Sequence, residues 1–273
     1  MQLLSDEVKG FLGNSSMIRR MFEAGIELKR KYGEDKVYDF SLGNPDLPPP
    51  PEIKKAMLEI AEASDQPFAF GYMPNAGENA ARQALAELIS GEQDTAVPPA
   101  NIIVTCGAAG GINAFFRATL TPGDEVLCIA PYFVEYGFYA GNFGGVLKPV
   151  MSNEDFSLNI GNIAGAITEK TRAIILNSPN NPTGKIYCKE ELDAVAELLY
   201  AARKKYGRMI YIVSDSRTVS LIMMGTMFLP CSGCMTAVWS LVHSPKRSHF
   251  PEKESVISLS IRHWKMLLNC LAV

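Results

Sequence analysis

The sequence predicts an α/β protein, with a mostly parallel sheet covered by helices on both faces in a three-layer α/β/α arrangement. Two observations support this prediction. Short apolar runs of strand length alternate along the chain with segments in which apolar residues recur at helical spacing. The strand-like runs are apolar throughout, which is typical of strands buried on both faces of a parallel sheet.

The predicted elements follow one another from the N-terminus. The first helix lies between Ser16 and Gly33, a glycine suited to the left-handed residue that ends a helix. Further helices are predicted at residues 52–63, 78–90, 107–120, 133–140 and 190–206. Strands are predicted at residues 37–42, 102–105, 125–130, 146–150, 172–177 and 209–213.

The composition excludes several classes of partner. The 273 residues carry a formal net charge of −3, which gives no electrostatic reason to expect nucleic acid or an anionic membrane. We expect no signal peptide and no membrane span, because the N-terminal region and the apolar runs lack the required patterns. The six cysteines are scattered, so we expect a reduced, cytoplasmic protein without a metal site.

The charge changes abruptly after Asp215. Residues 1–215 carry 20 basic and 27 acidic side chains, whereas residues 216–273 carry six and two. All three histidines and both tryptophans also lie after residue 215. This change predicts a boundary after residue 215 and a poorly ordered tail at 216–273.

The most informative segment is NSPNNPTG at residues 177–184, between an apolar strand and a helix. An Asn-Pro turn at the carboxyl end of a buried strand lies where open α/β sheets bind ligands. Another strand–helix turn, Gly107, Ala108 and Ala109, would let backbone N–H groups approach a phosphate. Asp215 ends an apolar strand, where an unpaired carboxylate would be costly to bury.

Each of these features has a simpler structural explanation when taken alone. The small-residue turn at 107–109 can be tight packing. Phe133, in the segment PYF that follows the strand at 125–130, can be a core aromatic. Asn181, which precedes Pro182, can belong to a plain turn, and Asp215 can cap the next element. Their order and spacing along one chain favour a single site.

These residues resemble those of the class I/II aminotransferases, fold-type-I enzymes similar to aspartate aminotransferase that use pyridoxal phosphate. The resemblance covers residues 1–215. It implies an N-terminal arm and small-domain segment at 1–45, followed by an incomplete cofactor-binding large domain at 46–215. It implies that the 107–109 turn binds the cofactor phosphate and that Phe133 stacks on the cofactor ring. It also implies that Asn181 bonds to the ring hydroxyl and that Asp215 keeps the pyridine nitrogen protonated.

Two upstream segments extend the resemblance. Gly43, in the segment LGNPD, matches a residue that lines the substrate carboxylate site. Tyr72, in the segment GYMP, matches a tyrosine that reaches the phosphate of the neighbouring subunit. The resemblance therefore implies a homodimer with shared sites, which transfers an amino group between an amino acid and a 2-oxo acid.

The resemblance stops at Asp215. The family continues with Glu-Pro-Tyr and then a Ser-x-Ser-Lys segment, whose lysine bonds covalently to the cofactor, but this chain continues with Ser216-Arg217-Thr218. Lys246, in the segment HSPK, is a weak candidate for that lysine. We expect the C-terminal small domain to be missing.

A shift of reading frame just after Asp215 would explain this change. With the codons read one base out of register, residues 216–220 permit Pro-Tyr-Arg-Glu, and the single methionine codon makes Met223-Met224-Gly225 encode Asp-Gly. Three functions remain open: an aminotransferase, a carbon–sulfur lyase of the same fold, and a non-catalytic product. We favour the first for the family and the last for this chain.

Overall fold

The structure, a computed structural model, describes residues 9, 17–39, 48–93, 96–217, 234–239 and 257–260. The chain divides into two compact units, Met1–Pro48 and Pro49–Val273. The helices are α1 (Met17–Tyr32), α2 (Pro51–Glu62), α3 (Asn79–Gln93), α4 (Gly107–Thr119), α5 (Tyr136–Gly141), α6 (Ile160–Ala166) and α7 (Lys189–Tyr206). The strands are β1 (Ile102–Thr105), β2 (Glu125–Ala130), β3 (Val146–Met151), β4 (Thr171–Asn177), β5 (Tyr211–Arg217), β6 (Cys234–Trp239) and β7 (Ile257–Ser260).

In the first unit, helix α1 ends where the sequence predicts. Gly33 follows its last residue with φ of 98°, a conformation that glycine adopts without steric cost. Lys29 forms an ion pair with Asp39, with 3.4 Å between Nζ and Oδ2. The strand predicted at 37–42 is wrong over residues 37–39, which have no regular structure, and residues 40–42 lie outside the described part.

In the second unit, the main sheet has the strand order β3-β2-β4-β5-β6. Strands β2 to β5 are parallel, and β6 pairs antiparallel with β5. A second sheet consists of β1 and β7, which are parallel. The predicted α/β class with a mostly parallel sheet is therefore confirmed.

Helices cover both faces of the main sheet because its central strands are apolar on both sides. Val126 and Cys128 of β2 pack with α4 and α5, in a cluster that includes Phe116. The alternate residues of β2, Leu127 and Ile129, pack on the other face with α6 and α7. This arrangement confirms the three layers and explains why the strands lack an alternating polar pattern.

The connections on the α7 side are fixed by one carboxylate. Glu191, in the first turn of α7, accepts hydrogen bonds from the backbone N–H groups of Cys188 at 2.8 Å and of Leu158 at 2.7 Å. The first bond caps α7, and the second holds the loop that precedes α6. The loop before α6 and the start of α7 are thereby held close together.

Asp124 lies directly before β2, at the amino end of the strand, and is only 4% exposed. It accepts hydrogen bonds from Thr121 and from the guanidinium of Arg208, whose Nη2 lies 2.5 Å from Oδ1. Burial raises the pKa of Asp124, but the bonds to Arg208 and Thr121 outweigh that effect and hold the pKa below its usual range.

The structure departs from the sequence prediction at several boundaries. Helix α6 was not predicted, and the helix predicted at 133–140 begins at Tyr136. Strand β5 continues past residue 213 to Arg217. Strands β6 and β7 belong to the segment 216–273, most of which lies outside the described residues, so the division at 45 and 215 and the poorly ordered tail stay predictions.

Candidate functional site

The centre of the candidate site is a hydrogen bond between Tyr136 and Asp215. Tyr136 opens α5 and is 2% exposed, and its hydroxyl donates to Asp215 Oδ2 at 2.6 Å. Asp215 lies near the end of β5, two residues beyond the buried Val213. Burial, together with the negative charge of Asp215, raises the pKa of Tyr136 well above its usual range. The tyrosine therefore stays a neutral donor to the carboxylate.

An aromatic ring lies next to this pair. Phe133 follows β2 and packs edge-on against Tyr136, with ring centroids 5.6 Å apart. Tyr136 also contacts Tyr139 at 6.3 Å. Because Phe133 is only partly buried, it can offer aromatic surface to a ligand near the carboxylate. The structure thus brings the predicted residues Phe133 and Asp215 together through Tyr136.

The NSPNNPTG segment forms a turn at the end of β4. Asn180 is buried, and its Oδ1 accepts hydrogen bonds from the backbone N–H of Thr183 at 3.2 Å and from the Thr183 hydroxyl at 2.9 Å. Its backbone N–H donates to the carbonyl of Lys185 at 2.8 Å. Asn181, the next residue, is exposed. The turn is therefore shaped from inside by Asn180, while Asn181 faces outward.

Asn177 joins this turn to the strand that carries Asp215. Its Oδ1 accepts the backbone N–H of Asn181 at 2.5 Å, and its Nδ2 donates to the carbonyl oxygen of Asp215 at 2.6 Å. Asn177 and Asp215 are also register partners in the β4·β5 pair. Asn181 and Asp215 are thus both held at the carboxyl ends of neighbouring parallel strands.

The predicted phosphate turn begins α4. Gly107 has φ of 75°, which favours glycine at this position. Cys106, the preceding residue, makes no side-chain hydrogen bond to the start of the helix. Because the first N–H groups of a helix have no partner within the helix, the 107–109 turn can donate hydrogen bonds to an anion. Helix α4 packs in the same apolar cluster as Tyr136.

Tyr72 lies on an exposed loop that is anchored beside β1. The backbone N–H of Val104 donates to the carbonyl of Ala76 at 2.9 Å. Gly77 has φ of 96°, and a Cβ at this position would lie 2.7 Å from Val104 Cβ. The loop is thus fixed two residues before Cys106, but Tyr72 itself is fully exposed.

Two predicted residues cannot be placed. Gly43 and Lys246 lie outside the residues that the structure describes. Among the described residues, no group of three or more His, Cys, Asp or Glu side chains could hold a metal ion. Across the same part of the chain, the helices are too short or too polar to cross a membrane.

Two residues of the cluster were not singled out from the sequence. Tyr136 carries no signal of its own, because it contacts Asp215 across 79 positions of sequence. Asn177 lies in the NSPNNPTG segment, where the motif points to Asn181 instead. The signal for Asn177 is its position as the last residue of β4, from which its side chain reaches the end of β5.

The similarity to known proteins covers the same elements. The family model for aminotransferase class I and II matches residues 35–211. The aspartate/prephenate aminotransferase of Thermus thermophilus is 37% identical over 208 residues, which are 75% of this chain and 51% of that protein. The chain spans about half the length of the curated relatives it matches.

Solved structures agree with this similarity. An amino transferase from Eubacterium rectale superposes with a TM-score of 0.76 at 32% identity, covering 84% of this chain and 58% of that one. The aspartate aminotransferase from Thermus thermophilus with maleate gives a TM-score of 0.69 at 33% identity, covering 84% and 56%. The chain therefore belongs to the class I and II aminotransferases, a family of pyridoxal-phosphate-dependent enzymes.

Proposed function

We propose that this chain binds pyridoxal phosphate at the cluster around Asp215, and that the protein it represents transfers an amino group between an amino acid and a 2-oxo acid. The observation that carries the proposal is the Asp215 carboxylate. It lies at the carboxyl end of a buried strand, accepts a hydrogen bond from Tyr136, and stands beside the turn that carries Asn181.

The described residues fit the polar groups of this cofactor. The N–H groups of the 107–109 turn would bind the phosphate, and Gly107 provides the positive φ that the turn requires. Asn181 would bind the ring hydroxyl, and Phe133 would lie against the ring. Asp215 would accept a hydrogen bond from the protonated ring nitrogen.

When bound, the cofactor supplies a cationic ring that withdraws electrons from the substrate's α-carbon. The Asp215 carboxylate would favour the protonated ring nitrogen, because an opposite charge close by stabilises a cation. The Tyr136 hydroxyl would hold that carboxylate in place from the protein side.

Amino transfer also needs a lysine to move a proton, and Lys246 is the candidate in this chain. We propose that Lys246 does not complete the site, because the Ser-x-Ser-Lys pattern is absent around it. The 273-residue chain would then bind the cofactor without catalysing transfer. The name of the Thermus thermophilus relative makes aspartate the amino donor to test first.

Equilibrium dialysis with pyridoxal phosphate tests the binding site. Asp215→Asn is expected to weaken binding by about tenfold or more, since a hydrogen bond to a charged group contributes about 1.5–3 kcal/mol. Asp193→Asn, on the exposed surface of α7, is the matched control and should bind like the wild type. Equal affinities of the two variants, or no saturable binding by the wild type, would contradict the proposal.

A homodimer is the proposed assembly of the protein. Phe68 and Phe70 flank the Tyr72 loop and are 94% and 88% exposed. Closely spaced exposed aromatics mark a surface that a partner covers. Analytical sedimentation of the wild type and of Phe70→Ser measures whether the protein is a dimer. Leu58→Ser, at an exposed apolar residue of α2, is the control. A monomeric wild type, or a dimer indifferent to Phe70→Ser, would refute the assignment of this surface.

A further inference from the structure

The carboxamide of Asn177 is bonded to both halves of the cluster. Its oxygen accepts the backbone N–H of Asn181 at 2.5 Å, and its nitrogen donates to the backbone carbonyl of Asp215 at 2.6 Å. An amide can do this because it carries an acceptor and a donor in one rigid plane. A single side chain therefore connects the turn after β4 to the end of β5.

The hydrogen bonds of Asn180 stay within the turn or its immediate neighbours. Asn180 bonds to Thr183, Gly184 and Lys185, all of which lie within the turn or just after it. These bonds give the turn its shape, but they do not reach β5. The position of Asn181 relative to Asp215 therefore depends on the Asn177 carboxamide, in addition to the β4·β5 ladder.

We propose that Asn177 is a positioning residue, which sets the separation of Asn181 and Asp215 so that the two residues bind the hydroxyl and the ring nitrogen of one cofactor molecule. This inference rests on the function proposed above. Both partners of the carboxamide are backbone groups, so the bonds orient Asn181 and Asp215 without occupying the side chain of either. Simultaneous binding at two points requires this kind of fixed separation.

Amide hydrogen exchange of the full chain tests the link without any ligand. Asn177→Ala removes both bonds and should speed exchange of the Asn181 amide about fivefold, the effect of losing about 1 kcal/mol. Asn177→Asp keeps the acceptor oxygen and should leave the Asn181 amide within about twofold of the wild type. Exchange that is unchanged in Asn177→Ala would overturn the link.

A matched control separates this link from general loosening. Asn153 also holds a loop through its carboxamide, which donates to Ser157 Oγ at 2.8 Å and to the Leu158 carbonyl at 3.3 Å. Asn153→Ala should speed exchange near residue 158 and leave the Asn181 amide unchanged. Equal acceleration of the Asn181 amide in Asn153→Ala and Asn177→Ala would also overturn the link.

Cofactor analogues test the role in positioning. Equilibrium dialysis would compare pyridoxal phosphate with an analogue that lacks the ring hydroxyl and with one that has carbon in place of the ring nitrogen. Asn177→Ala should reduce the preference for the parent cofactor over each analogue about fivefold. Asn177→Asp should reduce the nitrogen preference alone, because it removes the bond to Asp215 and keeps the bond to Asn181.

The outcomes separate the possible failures. A merely structural role would lower the affinity for all three ligands equally and leave both preferences unchanged, which overturns the proposal. If Asn177→Ala does not fold, Asn177→Asp tests the proposal alone. It should lower the preference for the ring nitrogen and keep the preference for the ring hydroxyl, and an equal change in both would overturn the proposal. If the wild type binds none of the ligands, the proposed function and the positioning role both fail, while the exchange experiment still reports on the Asn177 link itself.

Discussion

The bond between Tyr136 and Asp215 gives the sharpest test of the candidate site. Tyr136→Phe removes only the hydroxyl, which lies 2.6 Å from Asp215 Oδ2 in a side chain that is 2% exposed. Phenylalanine fills nearly the same volume, so the packing cost is small. A hydrogen bond to a charged partner contributes about 1.5–3 kcal/mol, so we expect the free energy of unfolding at pH 7 to fall by that amount.

The pH dependence of the unfolding free energy gives a second, independent test of this bond. The pKa of Tyr136 is raised in the folded protein, so the stabilisation is present below the unfolded tyrosine pKa of about 10 and declines as the pH rises above it. While Tyr136 stays protonated in the folded state, linkage predicts a loss of about 1 kcal/mol between pH 10 and pH 11. The phenylalanine variant cannot show this loss.

Urea denaturation at pH 7, 10 and 11 measures both effects. The difference in unfolding free energy between the wild type and Tyr136→Phe should shrink by about 1 kcal/mol between pH 10 and pH 11. Tyr38→Phe, at a tyrosine that is 83% exposed, is the control. A loss at pH 7 no larger than the control's, or a difference that stays constant up to pH 11, would refute the reasoning.

Three further predictions concern other parts of the chain. Asp124→Asn should lower the unfolding free energy at pH 7 by about 1.5–3 kcal/mol. This difference should fade as the pH falls below about 4, because the lowered pKa of Asp124 stabilises the fold only while the unfolded carboxyl is ionised. Urea titrations at pH 7 and pH 3 measure the difference, which would stay constant if the pair with Arg208 were unimportant. Gly77→Ala should cost about 1–3 kcal/mol because of its positive φ and the 2.7 Å approach to Val104, whereas Gly165→Ala, with nothing within 4 Å, should be neutral or stabilising in the same thermal melts; equal melting temperatures would contradict this account. Resequencing the gene across the codons for residues 213–218 should reveal one extra base, which restores Asp-Glu-Pro-Tyr from residue 215. Confirmation of the sequence as given would contradict this prediction and make the change after Asp215 a genuine feature of the gene.

Much of the fold could be predicted because the buried strands carry their own signal. Strands β1 and β2 begin and end at the predicted residues, since each is an apolar run bounded by turn residues. The family and its cofactor, which the resemblance implied, are confirmed by the matching family model. Two of the predicted site segments follow these strands: the 107–109 turn follows β1, and Phe133 follows β2.

The missed elements have physical reasons. Helix α6 has the sequence IGNIAGA, whose two glycines disfavour a helix, and it forms because Asn159 caps it and Ile163 is completely buried. Strand β5 extends beyond the apolar run because β6 pairs with it as far as Arg217. The burial of Ile163 and the pairing of β6 with β5 are contacts between distant parts of the chain, which local patterns do not contain.

The same limit explains which parts of the candidate site the sequence indicated. Motifs identify residues that face outward from a turn, such as Asn181, because their neighbours in sequence are distinctive. The residues that hold such groups in place are ordinary tyrosines and asparagines, distinguished only by what they contact. Tyr136 holds the Asp215 side chain and Asn177 holds its backbone, so the orientation of one carboxylate depends on two residues from different elements. A substitution at either position should therefore disturb the cofactor site without changing any residue that would contact the cofactor.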